Sequence, residues 1–356
     1  MSGSRAPWRS TWLIAVGLIA LPAARVEAQS GSTATGTSNK LNPAISLNSL
    51  FSARKSDAAS DEDGFRAQEF EMGLVSIVDA HFRASANIAF APSAGGAEAE
   101  VGLEEGYVTV LGLPTGLGLK AGRFFLPVGR HNQLHTHQFP FIDAPRAVAA
   151  TLGGESAGDV GLLASYLPDL PWYLDLQAYV TDAAAEAFDS ASRRVAAGGR
   201  LVSLFDLGET ATFEAGGSFL RGPGVAAGDA TFLGADLRLK WRDTRKTHGH
   251  AVTWVSEFLL AQSDQPDVSG AYSTLLFRVG RQWWTGVEYS WNSLIPETGR
   301  ARSKEHEARV QLAWVPSEFS ALRGEFGWTD PLGGPRELSA TLQLNFTIGA
   351  HPAHQY

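Results

Sequence analysis

The chain contains no cysteine. In an exported protein that absence excludes disulfide staples and thiolate metal sites together. Long apolar runs are missing too: beyond Ala24 nothing approaches the ~18 uncharged residues of a membrane-crossing helix. Basic residues are in deficit, 29 Lys and Arg against 37 Asp and Glu, so no basic face is on offer to a nucleic acid. Runs at helical spacing are scarce as well, and the chain is expected to be all-β.

What is present begins with a secretory signal. Arg5 and Arg9 form a basic start, Trp12 to Ala24 is apolar, and Val26-Glu27-Ala28 offers a small-x-small cleavage site. The apolar run is shorter than the ~20 residues of a spanning anchor. Residues 1–28 are therefore expected to be a signal peptide. Without Arg5, Arg9, Arg25 and Glu27 the rest holds 26 basic and 36 acidic residues, a net charge of −10. Residues 29–41, polar and small, form a flexible leader. Residues 42–356 are left for one large β-structure. The mean hydropathy of the whole chain is near zero, which suits a soluble exported protein and a membrane barrel equally, because barrel strands are only half apolar.

Alternation with a period of two runs through the remainder. From Asp79 to Ala91, Ala80, Phe82, Ala84, Ala86, Ile88 and Phe90 share one face; His81, Arg83, Ser85 and Asn87 share the other. In the last strand Leu338, Ala340, Leu342, Leu344, Phe346 and Ile348 alternate with small polar residues. Residues 65–78, 172–181, 231–242 and 305–315 repeat the pattern, and about 16 strands are expected. Every second connection is tight: 113–116, 168–171, 206–209, 315–318. The others are longer and polar: 55–64, 182–193, 221–230, 293–304. Short periplasmic turns at one end and long extracellular loops at the other predict a transmembrane antiparallel β-barrel in the bacterial outer membrane. The connection 243–249 is longer than this rule prefers. Tryptophans near predicted strand ends (Trp172, Trp241, Trp283, Trp314, Trp328) suit interfacial girdles better than the core of a soluble sandwich.

If the apolar face meets lipid, the charged face lines the lumen. Asp236, Arg238, Lys240 and Arg242 cannot sit in hydrocarbon, where one mid-plane Arg or Lys costs ~2–4 kcal/mol. Glu69, Glu71, Arg83, Glu214, Glu257 and Glu288 follow the same logic. A barrel of ~16 strands leaves room for an aqueous channel.

Gly122 to Gly158 breaks the rhythm. It is the longest connection, carries Phe124, Phe125, Phe139 and Phe141, and holds His131, His135 and His137. So many aromatics belong to a loop that packs. The stretch LKAGRFFLPVGRHN, with Gly122, Phe124, Pro127 and Gly129, resembles the strand-and-loop signature of outer-membrane porins of the phosphate-selective O/P type. Its continuation, G-R-x-N-x-x-H-x-H-x-x-P-F-x-D-x-P through Pro145, and the tail Gly349-Ala-His-Pro352 are more similar to a proteobacterial subgroup of metal-regulated outer-membrane receptors or porins. The resemblance does not imply TonB-dependent uptake, whose barrels have ~22 strands and a plug. It implies a passive channel for small hydrophilic solutes or ions, embedded in lipid and lipopolysaccharide, and a homotrimer. In general porins the third outward loop folds inside and narrows the pore. Here residues 127–157 would do so, with His131, His135, His137 and Asp143 exposed to solute opposite the wall residues Arg83, Arg123, Arg238 and Lys240.

Two other functions are weighed against the channel. A closed barrel could act as a surface receptor through its loops. The spacing H-x3-H-x-H of His131, His135 and His137 could hold zinc or another divalent ion, with Asp143 the nearest acid in sequence; His351 and His354 stand apart in the tail. An enzyme is not expected. His81 follows Asp79, and His306 stands between Glu305 and Glu307, but neighbouring strand residues face opposite sides, and no G-x-S-x-G elbow occurs.

Overall fold

The computed structural model describes residues 43–58, 63–92, 99–153, 156–188, 190–192, 194–225, 228–244, 249–263, 267–295 and 303–349. The stretches expected to be signal peptide and leader, and the tail histidines His351 and His354, lie outside them. Alternating residues build sixteen strands: β1 Ala44–Ser56, β2 Gly64–Ile77, β3 Phe82–Pro92, β4 Ala99–Val110, β5 Leu117–Phe125, β6 Gly158–Tyr166, β7 Tyr173–Thr181, β8 Ala196–Asp206, β9 Ala211–Pro223, β10 Asp229–Arg242, β11 Ala251–Gln262, β12 Asp267–Arg278, β13 Trp283–Ile295, β14 Ser303–Ser317, β15 Ser320–Asp330 and β16 Glu337–Gly349. Each pairs antiparallel with its sequence neighbours, and β16 closes on β1 from Ser46↔Gly349 to Ser56↔Ser339. Closure removes every free edge, so each strand's backbone groups find partners without water. No described helix is long and apolar enough to cross a membrane; the strands do the crossing.

The two faces sort as the alternation requires. Leu162, Leu201, Phe219, Leu233, Phe258, Val310, Leu342 and Ile348 are exposed on the outside, whereas Glu71, Asp236, Glu288, Arg309 and Gln343 are buried within. An outer wall of large apolar side chains is stable against lipid and costly against water. Trp172, Trp241, Trp283 and Trp314 are exposed beside the turns at one end, where a belt of amphipathic rings meets an interface.

The strand expected from Asp79 starts at Phe82. Residues 79–81 form a turn, because the Asp79 carboxylate accepts the backbone N–H groups of His81 and Phe82 (2.7 and 3.0 Å) and outcompetes the ladder. The expectation of no helix fails at one place: α1, Arg146–Leu152, follows Pro145 and ends at Gly153, and two single-turn segments, His131–Gln133 and Thr136–Gln138, precede it. Pro145 is the N-cap, at φ −58° and ψ 138°, so the helix starts on the residue after it. Seven residues are too few to show a helical period.

Register slips once where it matters. Asn87 opposes Glu105 and Ile88 opposes Leu103, so Glu104 is an extra residue in β4. This bulge sends Glu104 and Glu105 to the same side, against the alternation of a regular strand.

Candidate functional site

The connection from β5 to β6 is tied to the polar inner wall at many points. Its neck is clasped by Asn132, fully buried, whose Nδ2 donates to the carbonyls of Leu126 and Ala157 (2.8 and 2.9 Å) while its Oδ1 accepts the Ala157 N–H (2.7 Å). Gly122 and Gly129 stand at positive φ, +131° and +66°; a Cβ there would collide with the Gly106 carbonyl and the Glu257 carboxylate. Gly129 thus lets the backbone lie on the wall, where its N–H donates to Ser218 Oγ (2.8 Å).

From the neck the loop fans across the interior. On β9 and β11, the Arg130 guanidinium pairs with Glu214, and the Arg130 and His131 N–H groups donate to Glu257 Oε2 (3.2 and 3.1 Å). On β2 and β4, Thr136 donates to Glu69 (3.1 Å), His137 Nδ1 meets Glu71 Oε2 (2.6 Å), and His135 lies between Glu104 (2.8 Å from Nδ1) and Glu105 (3.2 Å from Nε2). On β14 and β15, Arg323 donates to the Phe139 carbonyl (2.7 Å), Gln311 to Pro140 (2.6 Å) and Arg309 to Asp143 (2.9 Å), while Glu325 accepts the Ile142 N–H (3.1 Å). On β13 and β14, Ser290 accepts the Ala147 N–H (3.0 Å) and Glu305 pairs with Arg146 (3.1 Å). Most of these bonds involve a wall charge, and five of them join that charge to a loop backbone group, the charge-assisted kind that is about twice as strong as a neutral pair.

The three histidines do not face solute. Their relative exposures are 2% for His131, 8% for His135 and 2% for His137. This corrects the expectation of an imidazole-lined opening: the rings are occupied by the wall. Nor do they converge on one point. His135 and His137 stack at 5.8 Å between centroids, but His131 packs on Phe139 (4.5 Å) and Tyr272 (5.9 Å) instead. Burial, then the Arg309 charge, pushes His131 down to about 3, so it is neutral. For His135 burial works against charge, but hydrogen bonds to Glu104 and Glu105, with the nearby Glu71 charge, outweigh it and hold the ring up at about 10. The acid beside them is not Asp143, whose side chain is exposed, but glutamates some 30 and 66 residues away in sequence.

Of the expected wall residues, Arg238 pairs with Glu214 (2.7 Å), and Lys240 is on the same face of β10, within electrostatic reach of Arg238 and Arg130. Arg83 is exposed on the inner face of β3 near its turn. Arg123 does not join them. It opposes the exposed Val160 and lies across the sheet from Lys120 and Phe124, with its Nε donating to the Leu103 carbonyl (2.8 Å). The period of two that placed its neighbours inside places it outside. Among the described residues the exposed polar side chains on the loop itself are Gln133, Gln138 and Asp143. Below it a recess opens between Gln133 and the wall groups Lys120, Ser165, Asp175 and Gln177. Asn132, Glu104, Glu105, Arg309 and Arg323 were not foreseen; nothing in their local sequence marks them as loop anchors. His306 bonds the Tyr289 hydroxyl (2.7 Å), on the face away from the flanking Glu305 and Glu307.

No protein-family model matches the chain. It is 25% identical over 345 residues to an uncharacterised protein of Aquifex aeolicus (strain VF5), across 83% of this chain and 71% of that one. By structure, 86% of the chain superposes on the anion-selective porin from Comamonas acidovorans, covering all of it at a TM-score of 0.58 and 13% identity. The same share superposes on 99% of OmpT, an outer membrane protein of Vibrio cholerae in its trimer form, at 0.59 and 9% identity. At such identities the likeness is one of fold, and the fold is that of the bacterial outer-membrane β-barrels.

Proposed function

We propose that the chain is an outer-membrane channel of the porin type, through which small hydrophilic solutes or ions diffuse passively. The observation that carries this reading is a closed, polar-lined barrel whose third long loop is fastened across the interior by wall charges. Flux would be filtered by size at the loop and by sign at the surrounding side chains. On this reading the solute meets Asp143, Gln133 and Gln138 on the loop, and Arg83, Arg238 and Lys240 on the wall, while the histidines hold the loop in place. The motif between Leu119 and Pro145 favours kinship with the phosphate-selective or the metal-regulated porins, and the trimeric Vibrio neighbour favours a homotrimer in lipid and lipopolysaccharide. No catalytic step belongs to this reading.

A second reading, a closed barrel acting as a surface receptor, draws on the same fastening: anchors on β2, β4, β9, β11, β13, β14 and β15 reach opposite sides of the ring. Planar-bilayer recordings separate the two. Wild type should give discrete conductance steps, and replacement of residues 130–156 by a short Gly-Ser linker should enlarge them. A silent wild type with a conducting deletion would establish the closed barrel, and silence from both would sink the channel.

A further inference from the structure

The tightest cluster of titratable groups lies where the loop meets β2 and β4. Glu71 from β2, Glu104 from β4 and His135 from the loop each offer one ligand atom, and the three atoms lie within 4.8 Å of one another. His135 Nδ1 is 2.8 Å from Glu104 Oε2 and 3.6 Å from Glu71 Oε1. We propose that these three side chains form a divalent transition-metal site that fastens the loop to the wall.

Three observations support it. The donor set is mixed, one imidazole and two carboxylates. That suits zinc, which accepts three protein ligands with a fourth position open, better than calcium or magnesium, which want six or more oxygens. The set is also built rather than incidental. Only the bulge at Glu104 lets β4 aim a carboxylate at Nδ1 and, through Glu105, a second at Nε2 of the same ring. A carboxylate on the far nitrogen of a ligating imidazole is the usual device for fixing its orientation. Here Glu105 holds that position. Glu71 is steadied in turn by Asn87 and by His137 Nδ1.

The third observation is charge. Glu69 belongs to the same group, its Oε2 bound by Thr136 and its buried Oε1 without a hydrogen-bond donor. Among the described residues no arginine or lysine is in salt-bridge contact with Glu69, Glu71, Glu104 or Glu105, and Lys120 is within electrostatic reach of Glu105. A divalent ion would displace the His135 proton and add positive charge to this acidic cluster.

The geometry also separates this site from the three-histidine motif, since His131 turns away to Phe139 and Tyr272. Zinc chloride titrated calorimetrically into the metal-free, folded protein should give one saturable site. Glu104→Gln should weaken it by about tenfold or more, while His131→Phe should leave it unchanged. No saturable heat in the wild type, equal affinity in Glu104→Gln, or loss in His131→Phe would overturn the assignment. Should Glu104→Gln fail to fold, anomalous scattering from zinc-equilibrated wild-type crystals decides alone: a peak between the three side chains supports the site, and a peak only elsewhere removes it. Neither measurement depends on whether the barrel conducts.

Discussion

At the scale of single residues, the loop is held by groups that are individually replaceable and separately testable. Asn132 satisfies three backbone groups at the neck. Asn132→Ala leaves buried polar groups without partners, a penalty of roughly 1–3 kcal/mol for each group that stays unsatisfied, and should raise amide hydrogen exchange throughout 126–157 while leaving the strands protected. His131 gives a pH signature. It enters the docked loop neutral, at about 3, and returns to near the ordinary 6.5 when released. The released form therefore binds more protons between those values, and docking weakens as pH falls from 6.5 toward 3, by at most on the order of 4–5 kcal/mol. Loop exchange, corrected for its intrinsic pH dependence, should accelerate from pH 7 to pH 4.5 and do so less in His131→Phe. Equal acceleration in the two proteins would assign the effect to other groups.

At the scale of elements, the strand pattern was readable and its interruption was not. Leu338 to Ile348 alternate without a break, and β16 forms as that alternation predicts. Alternation also separated Glu305 and Glu307 from His306 correctly. The same rule assigns Glu104 to the face opposite Glu105, because nothing in AEVGLEEGYV announces the extra residue. The partners of His135 were hidden for a different reason: they are about 30 and 64 residues upstream, and only closure of the barrel brings them near. Deleting Gly102 should be far worse than deleting Glu104. Deleting the extra residue Glu104 leaves Leu103 opposite Ile88 and Glu105 opposite Asn87, whereas deleting Gly102 turns the preceding residues of β4 over, sending Val101 inward and Glu100 toward lipid. The folded fraction, read from heat-modifiable migration on a gel, should drop sharply for the Gly102 deletion and little for the Glu104 deletion; similar yields would argue that β4 tolerates the flip.

At the scale of the whole molecule, both signs line the interior, but they are not evenly spread. Acidic groups of β2 and β4 face the histidine side of the loop, while Arg130, Arg238 and Lys240 gather around Glu214. If solutes pass this basic patch, Lys240→Glu should move the reversal potential in a salt gradient toward cation preference, by about twofold or more in permeability ratio. An unchanged potential would place the path elsewhere in the lumen. The seam between β1 and β16 has a different kind of consequence. Thr347 bonds Asn48 across 299 residues, so the last pairing joins nearly the earliest and latest described segments of the chain. Bringing such distant segments together costs loop-closure entropy before any contact repays it, and pairings of high sequence separation form slowly. Every intermediate short of that step carries two unpaired edges. The ring is therefore a time-ordered object: its first strand must wait, unpaired on one side, until nearly the last residue has arrived.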